Sequence, residues 1–289
     1  MRRRRITMDK YYENKVAVVT GAAGTLCSVI AADLAEKGAK VVLVDMNLEK
    51  LNALSEKITA KGGFCLVRSC DITNEEAVQA LADDIYKELG PVSFLLNGAG
   101  GNNMNAMTTN NQYDERELTP EKPEDMRCFF DLNMENVKNV LVLNTMGTII
   151  PTRIFAKHMI ELKNGAVLNF ASMNTYRPLS RVPAYAMSKA AVANLTQWLA
   201  YYFAPAGIRV NAVAPGFFVN ERSINYLGTV ETGLTARGQN VINHTAMGRF
   251  GQAEDLLGTV NFLLDDRMAS FVTGITVPCD GGFLTSAGL

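Results

Sequence analysis

Histidine is nearly absent from this chain. His158 and His244 are the only two, they stand far apart, and a histidine-built metal centre is excluded on that count. Cysteine does not fill the gap. The five residues Cys27, Cys65, Cys70, Cys128 and Cys279 form an odd set without a C-x-x-C pair, which argues against a disulfide framework and a zinc knuckle. Reduced thiols and no metal are expected. Charge of one sign is lacking as well. A formal net charge of -1 gives no electrostatic case for nucleic acid or an anionic membrane surface. The one basic cluster, Arg2 to Arg5, precedes the first strand and reads as part of a solvated tail over residues 1–14. No apolar run approaches the roughly 18–20 residues of a membrane span, and the first thirty residues lack a secretory pattern. A cytoplasmic protein is expected.

What is present is apolar and periodic. With 48% hydrophobic and 20% charged residues in 289, the chain can bury a sizeable core. Short, nearly continuous apolar runs read as strands buried on both faces: Lys15–Thr20, Lys40–Asp45, Phe64–Ser69, Val92–Asn97, Gly165–Phe170, Ile208–Pro215 and Gly274–Asp280. Helix-length segments separate them, at Leu26–Lys37, Leu48–Ala60, Asn74–Leu89, Asn133–Leu162, Tyr185–Phe203 and Ala253–Leu264. The alternation predicts an α/β fold: a single doubly wound Rossmann-type domain over 15–289, with a parallel seven-stranded sheet and helices on both faces. No linker or repeat divides it. The irregular stretch 101–132, rich in Asn, Thr, Pro and acidic residues, reads as an insertion, and a loop that long is usually functional or disordered.

The first strand runs into "TGAAGTLCS", where a dinucleotide-binding loop would lie. In such a loop the backbone N–H groups and the helix N-terminus hold the phosphates, and glycine is required only where a side chain would block approach or φ must be positive. Gly21 and Gly24 remain, and Ala23, Thr25 and Leu26 complete the candidate cradle. Asp45 ends the second strand 24 residues after Gly21, where a carboxylate can accept hydrogen bonds from the adenosine ribose and repel a 2'-phosphate. NAD is therefore expected over NADP. Asp71 and Ile72 follow the third strand and are candidates for the adenine. Asn97, Ala99 and Gly100 leave the fourth strand on the same side. All of these sit at carboxyl ends of strands and converge on one crevice.

The chemical signal lies in "NFASMNTYRPLSRVPAYAMSKA". Tyr185 and Lys189 are four apart and share a helix face, and Ser172 ends the fifth strand. A phenol titrating near 10 is a poor base at neutral pH, and a neighbouring ammonium is expected to lower its pKa. Such a pair suits proton exchange with a secondary alcohol, with the serine hydroxyl orienting the substrate oxygen.

These motifs together resemble the short-chain dehydrogenase/reductase family over nearly the whole of Lys15 to Gly282. The glycine pattern T-G-x-x-x-G-x-G is met at Thr20 and Gly21, while Thr25 and Cys27 replace its later glycines. The resemblance implies that Ser172, Tyr185 and Lys189 are catalytic, and adds Asn144 of "NTMGT" as a fourth member whose backbone holds a water. It also implies that Pro215 and Gly216 turn beside the nicotinamide, contributing with Tyr185 and Lys189 to cofactor binding, and that the protein is a homotetramer.

Within the family, "NGAGGN", "PTRIFAKHM", "SMNTYRPLSRVPAY" and "APGFF" are most similar to the branch of D-mannonate oxidoreductases, or fructuronate reductases. That similarity implies a small-molecule sugar acid as substrate. A polyhydroxylated carboxylate calls for amide donors and a cation. Asn102, Asn103, Asn174, Arg177 and Arg181 are the candidates, with Arg181 assigned to the carboxylate. Another sugar acid, a polyol, or a non-catalytic nucleotide-binding role are the alternatives.

Overall fold

The computed structural model describes residues 10–219, 224–229 and 233–286. Seven parallel strands form one sheet: β1 Val16–Thr20, β2 Lys40–Asp45, β3 Phe64–Ser69, β4 Val92–Asn97, β5 Gly165–Phe170, β6 Ile208–Pro215 and β7 Thr276–Cys279, ordered β3-β2-β1-β4-β5-β6-β7. Every residue of β1 and β5 is buried, which is why these runs are apolar without alternation. Helices α1 Thr25–Glu36 and α2 Leu48–Ala60 cover one face, where Ile30, Leu34 and Leu51 meet Leu43 and Leu168. Helices α3 Glu75–Leu89, α4 Met134–Leu162 and α5 Pro183–Phe203 cover the other, where Ile85, Ile154, Phe155 and Met159 pack on Leu95 and Val210. The longer helices after β6 are α6 Ala236–Asn243 and α7 Leu257–Leu264.

The chain runs outward from β1 to β3, then crosses back to place β4 on the other side of β1. Strand order reverses there, and the ends of β1 and β4 define the crevice in which open α/β sheets bind ligands.

Element bounds follow the sequence pattern closely, with three departures. Helix α5 begins at Pro183, because proline is pre-organised for a first helical turn whose N–H has no partner. The segment read as one helix from Ala253 is a 3-10 turn, Ala253–Leu256, before α7. The supposed tail is the third. Arg2 to Arg5 lie outside the described residues, but Lys10–Tyr12 forms a helical turn, and Tyr12, 2% exposed, packs edge-on to Phe94 at 5.7 Å. Residues 10–14 therefore belong to the domain.

The insertion is built from its own hydrogen bonds. Glu117, buried, accepts from Asn110 Nδ2 at 2.9 Å and from the Asp114 N–H at 3.2 Å, and Lys122 pairs with Asp131. Its strands of contact lead to the crevice: the Thr108 N–H donates to the Arg181 carbonyl at 3.0 Å.

The altered glycine loop has a local compensation. Cys27 is buried, and its Sγ fills the space where a Cβ on Gly98 would stand. Burial pushes its thiol pKa up to about 12, so Cys27 is a protonated packing residue. Gly98→Ala should destabilise the fold by roughly 1–3 kcal/mol through overpacking. Adding Cys27→Ala should return only part of that loss, since the Thr20 carbonyl also stands 2.8 Å from the new methyl. Urea unfolding of the double-mutant cycle measures the coupling.

Candidate active site

The crevice is closed-packed because glycines bring its walls together. Gly21 adopts φ +67°, and a Cβ there would lie 2.7 Å from the backbone of Ala99. Thr20 pins the same contact, its Oγ1 accepting from the Ala99 N–H at 3.2 Å. Helix α1 starts at Thr25 without a side-chain cap, so the N–H groups of its first turn point toward the crevice mouth as an anion seat. Asp45 is oriented by the N–H groups of Ala23 (3.2 Å) and Asn47 (3.0 Å). These features fit a dinucleotide: a cradle without a Cβ at Gly21 and Gly24, an uncapped helix end and a fixed carboxylate at the end of β2.

The acid-base group is assembled at the end of β5. Lys189, 5% exposed, donates from Nζ to the Phe170 carbonyl at 2.6 Å, tying α5 to the strand. Its Nζ lies 5.6 Å from the centre of the Tyr185 ring, and the two side chains share one face of the helix. Tyr185 shows part of its ring while its phenol is enclosed and hydrogen-bonded with Ser172. Ser172 is held by Asn174, whose backbone N–H and Nδ2 both donate to its Oγ at 3.2 Å. The Leu179 N–H donates to Asn174 Oδ1 at 2.9 Å and so fixes which end of the amide faces the serine. With two N–H donors on its Oγ, Ser172 has its single hydrogen left for the Tyr185 phenol oxygen, which is the sense in which it lowers the phenol pKa.

The electrostatics differ from the sequence expectation. Burial raises the Tyr185 pKa, against a smaller lowering by the Ser172 hydrogen bond, and no lowering comes from Lys189. Burial also brings Lys189 down to about 8. Desolvation disfavours both charged forms and outweighs their attraction across this separation. The phenol is accordingly a protonated donor in the unliganded protein.

Asn144, 1% exposed, clasps Gly101: its Nδ2 donates to the Gly101 carbonyl at 2.8 Å and its Oδ1 accepts from the Gly101 N–H at 3.1 Å. Gly100 lies between Asn144 and Lys189, since a Cβ on it would stand 2.5 Å from Asn144 Oδ1 and 3.4 Å from Lys189 Nζ. The Asn144 carbonyl accepts from Thr148 Oγ1 at 2.9 Å.

A model of the short chain dehydrogenase family matches residues 15–225. The chain belongs to that family. A short-chain dehydrogenase is an oxidoreductase, and similar proteins carry that description. One from Haemophilus influenzae, called an uncharacterized oxidoreductase, is 39% identical over 284 residues, covering 98% of both chains. A solved structure from Haemophilus influenzae, presented as a candidate D-mannonate oxidoreductase with bound NAD, superposes with a TM-score of 0.90 at 39% identity, over 96% of this chain and 97% of that one. The 2-dehydro-3-deoxy-D-gluconate 5-dehydrogenase of Escherichia coli (strain K12) is 30% identical over 273 residues, covering 94% of this chain and 96% of its own.

Other sequence candidates of this short-chain dehydrogenase are placed unevenly. Pro215 and Gly216 end β6, and a Cβ on Gly216 would meet Asp280 Cα at 2.6 Å, so the "DGG" turn braces them. Asp71 accepts from the Thr73 N–H and hydroxyl, at 2.9 and 2.7 Å. Ile72 rests on Gly147 of α4, 5% exposed, which leaves little of it to touch a ligand. Asn97 turns inward, its Nδ2 donating to Thr152 Oγ1 (2.8 Å) and Asn169 Oδ1 (2.9 Å), so its side chain braces β4, β5 and α4. Asn102 and Asn103 are engaged locally and on α4, Asn102 Oδ1 accepting from the Asn103 N–H, Asn103 Oδ1 from the Asn105 N–H, and Asn103 Nδ2 donating to Asn136 Oδ1 at 3.1 Å. Asn174 serves Ser172. Arg177 reaches the Ser286 carbonyl at 3.3 Å. Arg181 alone among these faces a cavity of about 590 Å³. Sequence reasoning missed Asn111 and Arg237, which line the same cavity; the Asn-rich loop signalled the first only as a region, and nothing in its spacing signalled the second. Among the described residues there is no metal cluster, and no helix is long and apolar enough to cross a membrane.

The Lys189 environment predicts a pH signature. Its pKa falls from 10.5 to about 8 on folding, so between those values the unfolded chain holds a proton the folded one has released, and stability rises with pH across that window. Lys189→Met removes this contribution. The urea midpoint of the wild type should gain on that of the variant between pH 8 and pH 10, by up to about 1.4 kcal/mol per pH unit.

Proposed function

We propose that this protein is an NAD-dependent reductase and dehydrogenase interconverting a ketone and a secondary alcohol on a sugar acid, D-fructuronate and D-mannonate being the pair that fits best. The observation that carries the reading is the grouping of the Tyr185 phenol, Ser172 and the buried Lys189 at the carboxyl end of β5, the edge of the sheet on which the glycine cradle also lies. Thr25, Leu26, Gly21, Ala23 and Gly24 hold the cofactor phosphates, and Asp45 the adenosine ribose. The similarity to a structure with bound NAD supports the choice of cofactor.

When bound, the nicotinamide supplies or accepts the hydride. When substrate binds, Ser172 turns its hydrogen from the phenol to the substrate oxygen, and Tyr185 donates the second hydrogen bond. As charge develops on that oxygen, the phenol releases its proton to it. Lys189 then returns a proton to Tyr185, with Asn144 and the Gly100–Gly101 backbone as the neighbouring polar groups through which it is reloaded. Oxidation reverses each transfer. A phenol pKa raised by burial favours the acid role, hence reduction, near neutral pH.

Arg181 binds the substrate carboxylate in this reading. A cytoplasmic homotetramer belongs to it too, supported by the exposed aromatic face of α5, where Trp198 and Tyr202 stack at 4.9 Å and Tyr201 is 88% exposed.

Tyr185→Phe should lower kcat by about 10²–10⁴-fold while NADH affinity, measured by fluorescence titration, stays near wild type. Near-native turnover would refute the assignment of the acid. A panel of D-fructuronate, 2-dehydro-3-deoxy-D-gluconate, D-fructose and xylulose with NADH and NADPH, followed by nicotinamide absorbance, should show the highest kcat/KM for D-fructuronate with NADH.

A further inference from the structure

The cavity that Arg181 faces is cationic, and among the described residues no acid lines it. It is bounded by Asn111 of the insertion, Leu179 to Arg181 of the loop after Ser172, Arg237, Asn240 and His244 of α6 and its end, and Phe217 and Phe283 below. It adjoins the reacting groups. Leu179 is hydrogen-bonded to Asn174, which holds Ser172, and Tyr226 lies within electrostatic reach of both Tyr185 and Arg237.

Arg237 is unusual inside it. Its Nε is buried without a hydrogen-bond partner, and no carboxylate pairs with it among the described residues. Burial is the largest influence lowering its pKa, and the Arg181 charge lowers it further. A half-buried guanidinium with an unpartnered Nε beside a second positive charge is costly, and an anion between the two relieves it. Arg181 is itself held for a task. It adopts φ +75°, rare for a residue with a side chain, and is fixed by two ties to the insertion: its carbonyl accepts from the Thr108 N–H, and its Nε donates to Asn111 Oδ1 at 2.7 Å. That bond leaves the terminal nitrogens of its fork for a ligand.

We propose that Arg237 and Arg181 together seat the substrate carboxylate, so that Arg237 on α6 is a specificity-determining residue of this enzyme. The inference rests on the sugar-acid reading above and adds to it the residue that completes the anion seat. His244 offers a third group: its Nδ1 bonds the Asn240 carbonyl at 2.8 Å, so that nitrogen carries the hydrogen and Nε2 is left for a substrate hydroxyl. Because α6 follows β6 and the insertion precedes α4, an anion bridging the two arginines ties together segments that no shared strand connects.

The test compares D-fructuronate with D-fructose, which lacks the carboxylate, as substrates of the wild type, Arg237→Met and Arg237→Lys in full-length protein with NADH. Arg237→Met should raise KM for D-fructuronate by about 30–300-fold, as expected for a lost charge-assisted hydrogen bond, with kcat within about 3-fold and kcat/KM for D-fructose within about 3-fold. Arg237→Lys should recover part of the affinity, since a point charge replaces the fork. The melting temperature of unliganded Arg237→Met should equal or exceed that of the wild type, because a half-buried charge repelled by Arg181 is removed, and D-mannonate with NAD should raise it less than in the wild type. A D-fructuronate KM within 3-fold of wild type, an equal loss on both substrates, or a lower unliganded melting temperature would overturn the role of Arg237. A wild type that shows no preference for D-fructuronate over D-fructose would instead remove the sugar-acid reading, and the anion seat with it.

Discussion

The hydrogen bond from Lys189 Nζ to the Phe170 carbonyl is the tie on which the site depends. It carries a buried ammonium to the end of β5 and fixes the rotation of α5, and with it the direction of Tyr185 one turn earlier. The same burial that makes the bond strong makes the charge expensive, which brings the lysine down to about 8 and keeps the phenol protonated. Structure and proton inventory therefore have a common origin in the exclusion of water from one corner of the crevice.

Around that corner, polar side chains hold polar side chains. Asn174 takes up the lone pairs of Ser172, Asn144 clasps Gly101, and Thr152, Asn169 and Thr196 form a buried ladder under Asn97. Thr152 and Thr196 give their own hydrogens to the carbonyls of Thr148 and Val192, so each accepts from an amide and the direction of every bond in the ladder is settled. Such pre-organisation suits a site whose donors must already point at the developing charge. It also explains why several asparagines expected at the ligand belong to the scaffold.

The fold was legible because its strands are buried on both faces and its helices begin and end on ordinary caps, such as Asn47 and Asn74. The grouping of Ser172, Tyr185 and Lys189 was legible because helix spacing and strand-end topology bring them together. The direction of the Tyr185 shift was not, since the sequence shows the neighbouring ammonium but hides the depth at which both groups lie. Asn97 could not be told from a ligand contact, because its partners Asn169 and Thr152 are 72 and 55 residues away. Arg237 shares its cavity with Arg181 only through the folding of α6 back over the crevice, and the inclusion of Lys10–Tyr12 in the domain depends on the distant Phe94.

The contact between Cys27 and Gly98 changes what a missing glycine means. The volume that Cys27 adds to one loop is matched by the bare Gly98 of the loop opposite, so the steric tolerance of position 27 depends on position 98. In descent a sulfur at position 27 should be found only where position 98 is bare, and a fingerprint scored one column at a time counts as damage what a second column has made room for.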